Sequence, residues 1–84
     1  MSIRKVSVRQ IKAARALLAW SQEQLAERSS VSIPTVKRLE STDGAIGGRA
    51  DTSEKLIAAL ESAGVIFVEE NGEGPGVRLR KGGR

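Results

Sequence analysis

At 84 residues the chain has room for one domain and not for two, because single domains commonly run to about 100–200 residues. It contains no cysteine, histidine or tyrosine, which removes disulfides, thiolate and imidazole metal sites, Cys nucleophiles and imidazole general bases. No enzyme, cofactor or metal site is therefore expected, and fourteen Lys+Arg against ten Asp+Glu leave a net charge of +4 that points to an anionic partner.

The first predicted helix runs over Ser7–Ala19. Ser7 followed by Gln10 has the spacing of a capping box, and Val6 with Ile11 forms the matching hydrophobic staple. Ile11, Ala14, Leu17 and Leu18 recur at helical spacing, with Arg9, Lys12 and Arg15 on or beside the other face. The signature repeats at once: Ser21 with Gln24 makes a second box, Trp20 with Leu25 a second staple, and Ser29-Ser30 ends the short helix after Arg28. Ser32 caps a third helix, with Val31 and Val36 as its staple and Pro34 tolerated in the first turn. Val36 and Leu39 share a face that Lys37 and Arg38 do not.

Thr42-Asp43-Gly44 and Gly47-Gly48 make a loop, after which Asp51 and Glu54 open a fourth helix with Leu56, Ile57, Leu60 and Ala63 as its apolar positions. Gly64 is placed to stop it as a left-handed residue. The period then changes from 3.6 to 2. Val65–Val68 suits a strand, Asn71–Gly76 a turn, and Val77-Arg78-Leu79-Arg80 alternates apolar with basic. The expected fold is mainly α: four to five short helices over residues 1–64, then a β-hairpin and basic tail over residues 65–84.

Charge is segregated along the chain. Residues 1–20 carry Arg4, Lys5, Arg9, Lys12 and Arg15 without an acid, and the last nine carry Arg78, Arg80, Lys81 and Arg84, again without one. Between Ala50 and Pro75 the only base is Lys55, against Asp51, Glu54, Glu61, Glu69, Glu70 and Glu73. Basic ends around an acidic middle fit a polyanion-binding face with an acidic back, or else a solvated surface with a basic tail. No apolar run approaches the roughly 18 residues of a membrane span, and the basic N-terminus lacks the apolar core of a signal peptide. A cytoplasmic protein without a membrane association is expected.

The stretch from Gln22 to Ser41 reads as two short helices joined by a tight turn, the arrangement that places a second helix in a DNA major groove. Here the chain resembles the Xre-type, lambda-repressor-like helix-turn-helix family, from about Arg9 to Val65. Trp20-Ser21-Gln22-Glu23-Gln24-Leu25-Ala26-Glu27 is similar to that family's second helix, and Glu40 and the Leu60…Gly64-Val65 ending also match. Two departures stand out: Ser30 occupies a turn position that is usually glycine, and the loop Ser41–Ala50 is Gly-rich and slightly long.

The resemblance implies binding to double-stranded DNA and a role for each matching residue. Gln22 would donate to a phosphate at a helix N-terminus. Ser32, Ile33, Pro34 and Thr35 would open the recognition helix against the groove, with Ile33 either reading a thymine methyl or packing under the Pro34 ring, and Thr35 meeting a base edge or a phosphate. Arg38 is the choice for bidentate contact to guanine, and Lys37 for a base or phosphate. Arg49 would hold the DNA backbone, as would Arg9 or Lys12. Arg15 and Glu40 would form a structural salt bridge. Trp20 reads as a core or staple residue.

A module this small touches few base pairs, so a homodimer on two half-sites is expected. Val65, Ile66, Phe67, Val68, Val77 and Leu79 supply its interface, as more apolar strand than a lone hairpin covers. No small-molecule ligand is expected. Two other readings remain: a protein-interaction module that holds a partner such as a toxin or another regulator, and a nonspecific polyanion binder. Trp20 and Phe67 alone offer few stacking surfaces for the latter.

Overall fold

The computed structural model describes residues 6–44 and 50–82. Its elements in chain order are α1 (Val8–Leu18), α2 (Gln22–Ser29), α3 (Ile33–Glu40), α4 (Ala50–Ser62), β1 (Val65–Val68) and β2 (Gly76–Leu79). Local chemistry sets the helix boundaries. Ser7 and Ser21 each accept a hydrogen bond from the backbone N–H three residues on, while Gln10 and Gln24 reach back to the cap N–H groups at 2.8 Å. Each box satisfies two otherwise orphaned donors, and losing such a cap typically costs about 1 kcal/mol. Ser32 caps α3 through the Thr35 N–H, with Pro34 in the first turn, where a missing N–H costs nothing. Ala19, Ser30 and Gly64 take left-handed conformations just past three of the helices, at φ 57°, 63° and 110°.

The apolar stripes meet in one core, in which Ile11, Ala14, Leu25, Val36, Leu56, Leu60 and Val65 are buried. Leu25, Val36 and Leu60 are fully enclosed, and truncating such a side chain to alanine typically costs about 2–5 kcal/mol for leucine. The face of α1 differs from its predicted one. Leu17 is 45% exposed and Gln10 is buried in its place. Gln10 and Leu17 lie seven residues apart on nearly the same side of α1, so the difference is one of position along the helix: the hairpin covers that side at Gln10 and leaves Leu17, in the last turn, outside.

The strands pair with each other, antiparallel, with Val65 opposite Leu79 and Phe67 opposite Val77. Alternation places Val65, Phe67, Val77 and Leu79 on the face packed against the helical core, and Ile66 and Val68 on the opposite face beside exposed Arg78. Gln10 fixes the turn end of the hairpin to α1: its Nε2 donates to the carbonyls of Gly76 (2.9 Å) and Val68 (3.3 Å). Arg80 N–H donates to the Gly64 carbonyl at the other end. The hairpin is thus a braced extension of the helical body, which answers the marginal stability of an isolated two-stranded pair. No helix among the described residues is long and apolar enough to cross a membrane.

Candidate nucleic-acid interface

The turn between α2 and α3 is closed from within. Ser29 Oγ donates to the Ala26 carbonyl and accepts from the Val31 N–H, both at 3.3 Å, while Ser30 takes the left-handed conformation that reverses the chain. Ser30 therefore supplies, at φ 63°, the left-handed residue that the reversal requires. Val31 and Ala26 are buried beneath the turn, so α3 is set against α2 by packing as well as by hydrogen bonds.

Exposure divides α3 into two faces. Val36 and Glu40 are buried and Leu39 is packed on the core, which anchors the helix. Ser32, Ile33, Pro34, Lys37 and Arg38 are exposed, and Thr35 is half-buried at their margin. Ile33 is 39% exposed. Ser32 Oγ donates to Thr35 Oγ1 at 2.8 Å, which orders the first turn and leaves the Thr35 hydroxyl proton for an outside acceptor. The N-terminal turn of α3 thus presents hydroxyls and an apolar side chain, and its last turn presents two cations.

Behind this face lies the main polar network of the interior. Arg15 forms a fork on Glu40, from Nε to Oε2 at 2.9 Å and from Nη2 to Oε1 at 2.8 Å, and its Nη1 donates to the Trp20 carbonyl at 2.8 Å. One guanidinium therefore joins α1, the α1–α2 connection and the end of α3. The Glu40 side chain is only 4% exposed, and its burial is compensated by these donors. Gln22 completes the set by donating from Nε2 to Glu40 Oε1 at 2.9 Å. The resemblance gives Gln22 to phosphate; in the free protein its amide faces inward and holds the carboxylate on α3. This second role had no signal in the sequence, since it depends on how α2 crosses α3.

Arg9 and Lys12, expected to reach the DNA backbone, are exposed on α1. Arg9 Nε lies 3.5 Å from Asp43 Oδ1 with both side chains largely in solvent, a pair that a DNA phosphate can replace at little cost. The Val8 N–H donates to the Gly44 carbonyl at 2.8 Å, tying the segment after α3 to the start of α1. Arg49, expected to hold the DNA backbone, lies outside the described residues. Trp20 is half-buried against the core, with the Arg28 guanidinium 5.1 Å from its ring centroid.

A comparison with curated proteins finds no match. A family model described as helix-turn-helix matches residues 11–63, which runs from within α1 to the end of α4 and includes every residue of the two-faced helix and its supporting network. That family is one of DNA-binding regulatory domains and not of catalysts. With well over half its length matched and the helical unit in place, the chain belongs to the Xre-type, lambda-repressor-like helix-turn-helix family of DNA-binding regulators.

Proposed function

We propose that this DNA-binding protein is a sequence-specific repressor of transcription that acts in the cytoplasm as a homodimer, with α3 of each protomer in the major groove of one half-site. The observation that carries the reading is the division of α3: its core contacts are made by Val36, Leu39 and Glu40, which leaves Ser32, Ile33, Pro34, Lys37 and Arg38 to solvent. In this reading Arg38 reads guanine through O6 and N7, Ile33 meets a thymine methyl, and Ser32 and Thr35 contact a base edge or phosphate. Lys37 and the first-turn N–H groups of α2 hold the DNA backbone.

The test is fluorescence anisotropy on DNA from upstream of the protein's own gene and on a scrambled duplex, at two salt concentrations. A preference of about a thousandfold or more that persists at the higher salt is expected. Equal binding to both duplexes that falls steeply with salt reflects counterion release alone and would remove the claim of sequence specificity at that site.

A further inference from the structure

Away from the DNA-reading residues, the side of the body shared by α2 and α4 opens into a groove of about 730 Å³. Its apolar floor comes from Leu18, Trp20, Ala59 and Ala63, and its rim carries Arg28 and Lys55. Leu18 and Trp20 are half-buried because one side of each packs on the core while the other lines the groove. Arg28 is held over the Trp20 ring, so its guanidinium is positioned before any partner arrives. Neither Arg28 nor Lys55 has a carboxylate partner among the described residues.

The surroundings give these two cations their meaning. Lys55 is the only base between Ala50 and Pro75, a stretch with six carboxylates. Arg28 and Lys55 are the charged residues of the groove and no carboxylate is among its lining residues, so it offers positive charge beside apolar side chains to an acidic partner. The groove is open along one side, which suits a length of polypeptide better than a small molecule needing enclosure. We propose that it docks an acidic amphipathic segment of a partner protein, with one large apolar side chain on the floor and flanking carboxylates on Arg28 and Lys55. The chain's own acidic segment is a poor occupant. Glu69 to Gly74 contains no large apolar side chain, and the Glu70 carboxylate already accepts the N–H groups of Gly72 and Gly74.

Trp20 is the sole tryptophan and lines the groove, so its emission reports occupancy directly. The probe is a set of random peptides of about a dozen residues, displayed and selected on the full chain in the absence of DNA. Enriched peptides are expected to carry an apolar residue flanked by Asp or Glu, and to shift Trp20 emission to saturation. They should bind the R28E/K55E variant about tenfold or more weakly. Both substituted side chains are exposed, so the variant should fold, with its circular dichroism and melting transition as the check. A second variant, Ala59→Phe, fills the floor and should block binding without changing charge. No enrichment, neutral or basic consensus sequences, or binding indifferent to both variants would overturn the proposal. So would Trp20 emission that changes with protein concentration alone and loses that dependence in R28E/K55E, because the occupant would then be a second copy. None of these readouts depends on operator binding, so failure of the DNA reading leaves the test intact.

Discussion

Ser30 holds a backbone conformation that a side chain disfavours, at φ 63°, because the α2–α3 reversal requires it. A non-glycine residue in this region carries a cost of about 1–2 kcal/mol, part of which glycine would return as unfolded-state freedom. Ser30→Gly is therefore expected to stabilise the fold by about 1 kcal/mol, raising the thermal midpoint by about 4–8 °C. A lowered midpoint would mean that the exposed Ser30 side chain contributes a contact of its own. Arg38 is a different kind of residue, since its side chain is exposed and the fold does not need it. Arg38→Ala should leave the midpoint unchanged and cost about 1–3 kcal/mol on the specific site, with little loss on random DNA. An equal loss on both duplexes would reassign it to phosphate.

At the scale of elements, α3 is positioned by a carboxylate that three side-chain donors share, and this makes the network more fragile than its hydrogen-bond distances suggest. Arg15→Ala would leave Glu40 buried with only the Gln22 amide, a loss of about 3–5 kcal/mol that a domain of this size can scarcely withstand. The double variant R15M/E40L removes both charges and should recover most of that loss in chemical denaturation. If it is no more stable than R15A, the pair contributes more than the mutual satisfaction of two buried ions. The elements themselves were legible in the sequence because their signals are local: Ser7 with Gln10, Ser21 with Gln24 and Ser32 with Pro34 write the three helix starts within four residues each. The Arg15–Glu40 bridge was legible only through family resemblance, as the two residues lie 25 apart. What stayed hidden were the tasks that tertiary crossing assigns to polar side chains, namely Gln22 on Glu40 and Gln10 on the hairpin carbonyls. A glutamine with a recognised local role gives no sign in the sequence of a second, distant one. The exposure of Leu17 was hidden for a related reason, because spacing defines an apolar stripe but not how far along the helix it is covered.

At the scale of the whole molecule, size bears on assembly. The body measures 33 × 28 × 25 Å between Cα atoms, and adjacent half-sites lie about 34–36 Å apart along DNA. In the proposed dimer, two copies on one face of the duplex would therefore come within side-chain reach of each other, and a modest contact between them would be enough to couple the half-sites. The hairpin is suited to that contact. Its inner residues brace it from behind, Gln10 and Gly64 fix its two ends, and Ile66 and Val68 remain on the outer face. Truncation after Gly64 is a poor test, because it strips buried Val65 from the core along with the interface. The substitution pair I66K/V68K changes only the outer face and adds like charges that would oppose each other across a two-fold axis. The unmodified chain is expected to sediment as a dimer at tens of micromolar and the variant as a monomer, with matching thermal midpoints. On DNA the variant should keep its affinity for a single half-site and lose the added affinity for two, since linked sites gain from effective concentration and not from new base contacts. A monomeric unmodified chain that binds paired half-sites no more tightly than the variant does would mean that each protomer reads DNA alone, and that its specificity must come from a partner protein.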